Sequence, residues 1–131
     1  MTLIRTSQRE RLTAANRPDG CAVFSAGQFL IHADGTGRFD RHYHEFEEFW
    51  LIASGSATVL VGDTTHRVAA GDIIRTAPGL EHDILDVADE LRVFWVSVGL
   101  PPGSTGAHLH RTPDLAVKHL VPVASRRAAG E

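Results

Sequence analysis

Between residues 21 and 98, the apolar residues occur in short stretches that are separated by Gly, Asp, Pro or Thr. The stretches recur at intervals close to the roughly 8–12 residues typical of a β-sandwich or barrel, and none is long enough to predict a helix. In order they read CAVFSAGQFLIH, GRFDRHYH, EFWLIASG, ATVLVG, HRVAAG, DIIRTA, EHDILDV and LRVFWVSV. This pattern predicts an all-β domain.

The breaks between these stretches carry residues that favour turns. Gly55-Ser56 and Ala70-Gly71-Asp72 end apolar runs, Gly62-Asp63-Thr64-Thr65 is expected to be a hairpin loop, and Pro78-Gly79 is a strong turn signal. Many strands joined by short turns predict a meander that closes on itself, because an open sheet would expose its edges. The residues alone therefore predict a small barrel or sandwich.

The two ends of the chain differ from this middle part. Residues 1–20 show no clear period, and LPPGSTG at residues 100–106 is typical of a linker. We therefore predict an N-terminal arm over residues 1–20, a barrel over residues 21–99 and a C-terminal extension over residues 100–131. The extension is expected to pack on the barrel or to be partly disordered, above all in its last residues, ASRRAAGE.

Composition narrows the function classes. A chain of 131 residues with 43% hydrophobic residues is the size of one domain with a real core. The formal charge of −3, with no basic cluster denser than Arg126-Arg127, disfavours binding to nucleic acid or to an anionic membrane. Cys21 is the only cysteine, so no internal disulfide can form and a reducing compartment is expected. With no apolar leader and no membrane-length apolar run, we expect a cytoplasmic protein that binds a small molecule.

A group of candidate metal ligands lies in HYHEFEEFW, residues 42–50. His42 and His44 point to the same side of a strand with Cα atoms about 6.5 Å apart, which suits two imidazoles that bind one ion. Glu48 would lie about 13 Å from His44 on a straight strand, but a turn in the three residues before it would bring it back beside the histidines. His82, after the second turn signal, completes the set. Each residue alone also fits a structural role, and the other two glutamates of the segment are expected to be solvated.

The order of these residues resembles the cupin family, whose first motif has a glycine, then H-x-H, a glutamate and another glycine. The matching positions are Gly37, His42, His44, Glu48 and Gly55. The second cupin motif runs from a glycine through a proline and glycine turn to a histidine, and it matches GDIIRTAPGLEH at residues 71–82. The sequence departs from this pattern in three ways. Four residues rather than five separate Gly37 from His42, and the Pro78-Gly79 pair is contiguous where the family usually has one residue between. Asp86 stands where the family often has asparagine.

The resemblance implies a cupin-type jelly-roll β-barrel that holds one divalent metal through His42, His44, Glu48 and His82. Three imidazoles and one carboxylate without a thiolate suit Mn, Fe, Co, Ni or Zn. Such a site would leave open positions on the ion, as catalysis requires. We therefore expect a metal-dependent enzyme, with the metal as Lewis acid for enolisation of a small oxygen-rich molecule, as in an isomerase, epimerase, cyclase or lyase. The alternatives are an Fe(II) dioxygenase and a ligand-sensing barrel without activity.

Five further residues are candidates for the chemistry around the metal. Trp50 and Trp95 are candidates for substrate binding, although large aromatic residues in a small domain more often form the core. Arg75, in the strand that leads to the second motif, is the favoured partner of a substrate carboxylate. His110 is a candidate acid or base if the C-terminal segment folds across the barrel mouth, and Asp86 is the other catalytic candidate.

The remaining expectations concern the surface. Arg38 and Arg41 are alternatives to Arg75 for a substrate carboxylate, and His108 is assigned to a surface tail. Exposed strand edges and the apolar segments at residues 21–31 and 117–123 predict a homodimer, which would cover backbone groups at those edges.

Overall fold

The computed structural model describes residues 2–124, and this part of the chain is built almost entirely from β-strands. The strands are β1 (Val23–Ile31), β2 (Arg38–Phe39), β3 (Glu47–Ser54), β4 (Ser56–Val61), β5 (Thr64–Ala69), β6 (Ile73–Thr76), β7 (His82–Val87), β8 (Leu91–Val98) and β9 (His119–Leu120). The helical elements within these residues are two short 3₁₀ turns, Thr6–Gln8 and Pro113–Ala116. Neither has the length or the hydropathy that crossing a membrane requires. The all-β prediction is confirmed.

The strands pair in three antiparallel sheets. The larger sheet has the order β1-β8-β3-β6, the second has the order β5-β4-β7, and β2 pairs with β9. Only β4 and β5 are neighbours both along the chain and in a sheet, so the predicted meander is wrong. The chain instead passes to a different sheet after every described strand from β1 to β8 except β4, and the described pairings do not join into one closed ring.

The crossing from β3 to β4 requires a glycine. Gly55 has a φ of 84°, a left-handed conformation that residues with a Cβ rarely adopt. A Cβ at this position would lie 2.2 Å from the backbone oxygen of Glu90, in the loop between β7 and β8. The absence of a side chain at Gly55 therefore lets the chain pass close to the backbone of Glu90 where it changes sheets.

The two main sheets bury their facing side chains in one core. Alternate residues of β3, Trp50 and Ile52, point inward and are almost fully buried. They belong to the same apolar cluster as Val59 of β4, Ile84 of β7 and Val93 of β8, all of which are fully buried. The inward alternation of β3 continues to its start and also directs the side chain of Glu48 into the interior.

Both terminal segments lie against the barrel. Leu12 of the N-terminal arm is buried and exchanges two backbone hydrogen bonds with Ala26 of β1. In the C-terminal extension, β9 pairs with β2, Val121 is fully buried in the core, and Leu109 exchanges two backbone hydrogen bonds with Tyr43. The part of the predicted disordered tail from residue 125 onward lies outside the described residues.

Candidate metal centre

Four buried side chains from three segments converge inside the barrel. His42 and His44 lie between β2 and β3, Glu48 is the second residue of β3, and His82 is the first residue of β7. The chain bends at residues 45–46, so that Glu48 returns beside the histidines as the sequence predicted. The side-chain ligand atoms of His44, Glu48 and His82 lie within 4.8 Å of one another, and Nε2 of His42 is 3.0 Å from Nε2 of His82.

Backbone hydrogen bonds hold the two motifs together. The N–H of His42 donates to the carbonyl of His82 at 3.1 Å, and the N–H of His82 donates to the carbonyl of His42 at 2.8 Å. The N–H of Gly79, in the predicted Pro-Gly turn, donates to the carbonyl of His44 at 2.8 Å. These contacts fix the histidines of the first motif against the start of β7, although His42 and His82 lie 40 residues apart.

The hydrogen bonds of His42 and His82 determine which ring nitrogens are free. Nδ1 of His42 is 2.6 Å from the carbonyl oxygen of Asp40, and Nδ1 of His82 is 3.2 Å from that of Leu80. Because a carbonyl only accepts, each Nδ1 carries the proton and each Nε2 presents a lone pair. The two Nε2 atoms are 3.0 Å apart and cannot hydrogen-bond to each other without an additional cation.

Burial makes a proton a poor candidate for that cation at neutral pH. Burial, together with neighbouring histidines, lowers the pKa of His42 to about 4 and that of His82 to about 3. Burial also lowers the pKa of His44 strongly, and Nδ1 of this ring has no hydrogen-bond partner among residues 2–124. Neutral, buried imidazoles with unused lone pairs are suited to a metal ion, so these residues fit a divalent cation.

Glu48 is oriented by two hydrogen bonds. The indole Nε1 of Trp50 donates to Oε2 at 3.1 Å, and the hydroxyl of Ser97 donates to Oε1 at 2.9 Å. Burial raises the pKa of Glu48, while these two donors oppose the shift by stabilising the ionised carboxylate. Each oxygen keeps a further lone pair, which a bound cation would satisfy while compensating the cost of burying the charge.

His108 lies close to the same group, but its orientation excludes it from sharing one ion with His42. One ring nitrogen of His108 lies within 4.8 Å of ligand atoms of His42 and His44. The His108 ring, however, stacks on His42 with centroids 3.7 Å apart and an angle of 4° between the planes. Imidazole lone pairs lie in the ring plane, so two parallel rings cannot direct them to one point. The rings of His42 and His82 are inclined by 70° and can converge.

Asp40 is a central residue that the sequence analysis missed. It is buried, and its Oδ2 accepts hydrogen bonds from Nδ1 of His108 at 3.0 Å and from Nε2 of His110 at 2.8 Å. Burial alone would raise the pKa of Asp40, but these two hydrogen bonds hold the pKa well below its usual range. Asp40 therefore fixes the C-terminal histidines beside His42, and its backbone carbonyl fixes His42 itself.

A cavity of about 390 Å³ reaches this group of side chains. His42, His44 and Glu48 line it together with His108. Its aromatic walls are formed by Phe24, Phe29, Phe39, Phe46, Trp50 and Trp95. The arrangement gives a small molecule access to the candidate metal site along an aromatic surface.

Comparison with known proteins identifies the family. Residues 29–99, more than half of the 131-residue chain, match the family model Cupin_2, the cupin domain. The chain belongs to the cupin family. Its four clustered side chains are the cupin motif residues on which the sequence resemblance depended.

This cupin is similar to a curated relative and to solved structures of the same fold. The uncharacterized protein y4oW of Sinorhizobium fredii is 28% identical over 102 residues, which are 72% of this chain and 47% of that protein, so this cupin spans about half the length of that relative. A cupin 2 conserved barrel domain protein from Rhodopseudomonas palustris has a TM-score of 0.60 at 22% identity, covering 76% of this chain and 64% of that chain. The DMSP lyase DddQ from Ruegeria pomeroyi has a TM-score of 0.59 at 19% identity, covering 72% of this chain and 46% of that chain. The predicted cupin-type jelly roll is confirmed.

The structure brings some of the other predicted residues to the cupin cavity and leaves some away from it. Trp50 and Trp95 line the cavity. His110 is hydrogen-bonded to Asp40 and does not line the cavity. His108, which was expected to belong to a surface tail, does line it. Arg38 also lines the cavity, in place of the favoured Arg75.

Two predicted residues lie on outer surfaces of the barrel. Arg75 points outward from β6, where Ile74 and Thr76 are the buried residues, and its Nε is paired with Glu47. Asp86 pairs with Arg67 at 3.2 Å across β4 and is not among the residues that line the cavity. The alternation along each strand therefore separates these two side chains from the candidate metal centre.

Proposed function

We propose that this cupin is a metal-dependent enzyme that enolises a small oxygen-rich substrate, as an isomerase, epimerase, cyclase or lyase does. The observation that carries the proposal is the facing pair of Nε2 lone pairs on His42 and His82, with His44 and Glu48 beside them at a cavity. A divalent Mn, Fe, Co, Ni or Zn ion held by these four residues would supply a Lewis acid that polarises a substrate carbonyl.

The residues around the candidate centre fit this chemistry. Trp50 and Ser97 orient the carboxylate of Glu48, and the carbonyls of Asp40 and Leu80 fix the two imidazoles. Such outer contacts hold ligands in place and tune their basicity. A substrate packed against the aromatic walls would displace water from the space beside the ligands, which would strengthen electrostatic interactions there.

His108 is the cavity-wall residue that we propose as the proton acceptor. Its Nδ1 donates to the buried carboxylate of Asp40, so Nε2 presents the lone pair that can accept a proton. A histidine held by a carboxylate through one nitrogen and facing a substrate with the other is suited to proton transfer. His110, the residue favoured by the sequence, donates to the same carboxylate oxygen of Asp40.

One solved structure of similar fold is that of a DMSP lyase. A barrel of this type therefore serves a lyase in another protein. The same ligand set also suits an Fe(II) dioxygenase, which the experiment below distinguishes.

We also propose that this cupin forms a homodimer through the outer face of the larger sheet. Leu51 of β3 and Ile73 of β6 are register neighbours on this face and are 37% and 65% exposed. Leu30 of β1 adds a further exposed apolar side chain to this sheet. Adjacent apolar side chains at an edge strand are typical of a surface that a second copy covers.

Metal content is the first test of the proposed function. The protein is purified without chelators, and its metals are measured by elemental analysis beside those of His44→Ala, His82→Ala and a control, His66→Ala. His66 is exposed on β5, outside the cavity lining. We expect one transition metal per chain in the wild type and the control and a loss in the other two variants. Equal metal content in all four proteins would refute the ligand assignment.

The reaction class is tested on the metal-loaded protein. Small keto acids and hydroxy ketones are incubated in deuterated water and followed by NMR, while oxygen consumption is recorded in parallel. Enolisation predicts deuterium at the carbon next to the carbonyl without oxygen uptake. Oxygen consumption by an iron-loaded protein, without deuterium exchange, would favour the dioxygenase instead.

A further inference from the structure

The cavity carries three cationic side chains for which the proposed chemistry gives no role. Arg11 comes from the N-terminal arm, Arg38 from β2, and Lys118 from the residue before β9. Within residues 2–124, none of the three forms an ion pair with an acidic side chain. The two carboxylates that line the cavity, Asp40 and Glu48, each accept hydrogen bonds from two other side chains. The three cations therefore lack an anionic partner within this part of the chain.

Arg11 is held in place and does not simply extend into solvent. The next residue, Leu12, is buried and fixed to Ala26 by hydrogen bonds of 2.9 and 3.2 Å. The guanidinium carbon of Arg11 lies 5.3 Å from the ring centroid of Trp95, within the range of a cation–π contact. The Trp95 ring is itself anchored, because its Nε1 donates to the hydroxyl of Ser25 at 3.1 Å.

A glycine in β1 makes room for this arrangement. A Cβ at Gly27 would lie 2.5 Å and 2.7 Å from two atoms of the Trp95 ring and 3.2 Å from Cγ of Arg11. Any larger residue would displace the ring and the arginine stem together. The local sequence of β1 therefore permits Arg11 to lie across the cavity side of Trp95.

Arg38 and Lys118 approach the cavity from the small sheet. Arg38 pairs with Leu120 in the antiparallel register of β2 and β9. Extending this register by two residues places Asp40 of one segment opposite Lys118 of the other. Side chains two residues apart on a strand point to the same side, so Arg38, Asp40 and Lys118 share one side of the small sheet. Arg38 and Lys118 are exposed side chains, and both line the cavity together with the buried Asp40.

We infer that the cavity binds a small carboxylate with an apolar body, its carboxylate held by Arg11, Arg38 and Lys118. Two guanidinium groups and an ammonium suit an anion, and guanidinium groups can bind a carboxylate bidentately. The aromatic walls would contact the apolar body. The cavity of about 390 Å³ is near the lower end of ligand-site volumes, which limits the ligand to a small molecule. As a statement about the substrate of the enzyme, this inference rests on the proposed function.

Intrinsic fluorescence can test this inference directly, because both tryptophans of the chain line the cavity. The full-length protein, treated with a chelator and dialysed, is titrated with 3-phenylpropionate and with the neutral analogue 3-phenylpropionamide. We expect the acid to bind about tenfold more tightly than the amide, and its affinity to fall as salt is added. Arg11→Gln and Arg38→Gln should each weaken binding of the acid by about fivefold to tenfold and leave binding of the amide unchanged.

Two further variants control for effects on the arm. Arg9→Gln removes a charge from the same arm at a residue that does not line the cavity, and it should bind the acid like the wild type. Arg11→Lys retains the charge and should restore part of the affinity. Circular dichroism confirms that each variant is folded.

The outcomes separate this inference from the proposed function. Three results would overturn the inference. The first is equal affinity for acid and amide, and the second is no detectable binding of either. The third is that Arg11→Gln and Arg38→Gln both bind the acid as tightly as the wild type. Since the titration uses metal-free protein, a preference for the acid would support carboxylate binding even if the metal analysis failed. Metal binding without a preference for the acid would leave the proposed function standing and refute the inference.

Discussion

Ser97→Ala tests whether the orientation of Glu48 serves metal binding. Ser97 is 1% exposed, and its hydroxyl donates to Oε1 of Glu48 at 2.9 Å. The substitution removes this one hydrogen bond and hardly changes the packing. It should raise the pKa of Glu48 further, because the hydroxyl is one of the two donors that oppose the effect of burial.

The magnitude follows from the charge on the acceptor. A hydrogen bond to an ionised group contributes about 1.5–3 kcal/mol, and this one is strongest in the ionised state that binds a metal. Its loss should therefore weaken metal affinity by about 10- to 100-fold. The reduction should be larger at lower pH, where protons compete for the carboxylate.

The assay is a titration of metal-free protein with Co²⁺, in which binding is measured by calorimetry and by visible absorption. Ser54→Ala is the matched control, because Ser54 lies on the same strand but is exposed at its end. We expect the control to bind like the wild type. If Ser97→Ala bound Co²⁺ with wild-type affinity at every pH, the hydrogen bond from Ser97 to Glu48 would not serve metal binding.

Three further predictions address the histidines, the sheet crossing and the proton acceptor. Without metal, the free energy of unfolding should fall as the pH is lowered from about 6.5 to about 4, because buried histidines with lowered pKa values take up protons only on unfolding. The three histidines outweigh the opposite effect of Glu48 and His119, whose pKa values are raised. In His82→Gln this pH dependence, measured by denaturant titration, should be shallower by up to about 1.4 kcal/mol per pH unit, and an unchanged slope would contradict the burial argument. Gly55→Ala should lower the free energy of unfolding by more than about 2 kcal/mol, and Gly71→Ala should lower it by less. Both glycines have a positive φ, but only at Gly55 would the added Cβ collide with backbone atoms. Equal losses in the two variants would show that this collision is unimportant. His108→Gln should retain metal and lose deuterium exchange, whereas His42→Gln should lose both, and loss of metal in His108→Gln would make His108 a ligand.

The strands and the motif residues could be predicted because their signals are local. The period-2 alternation of β3 predicts that Glu48 and Trp50 share a face, and both are buried. The hairpin loop after β4 is shorter than expected, because Thr64 and Thr65 belong to β5 and leave Gly62 and Asp63 as the turn. Such differences of one or two residues arise because backbone pairing extends strands into polar positions.

The strand order and the outer part of the site depend on contacts between residues distant in sequence. Asp40 contacts histidines 68 and 70 residues away, and no local pattern indicates such a pair. Arg11 reaches the cavity only because the arm pairs with β1, so its role could not be read from an N-terminal segment without a period. Arg75 was favoured for its position along the chain, yet the alternation of β6 directs it outward. For that residue, side-chain parity would have been the better guide.

Anomalous scattering from crystals of protein purified without chelators tests the central claim most directly. Data collected above and below the absorption edge of the metal found by elemental analysis would locate the ion. We predict one peak at about 2.0–2.2 Å from ring nitrogens of His42, His44 and His82 and from a carboxylate oxygen of Glu48. A metal-bearing crystal with its peak elsewhere, or with these four side chains bonded only to one another and to water, would contradict the account.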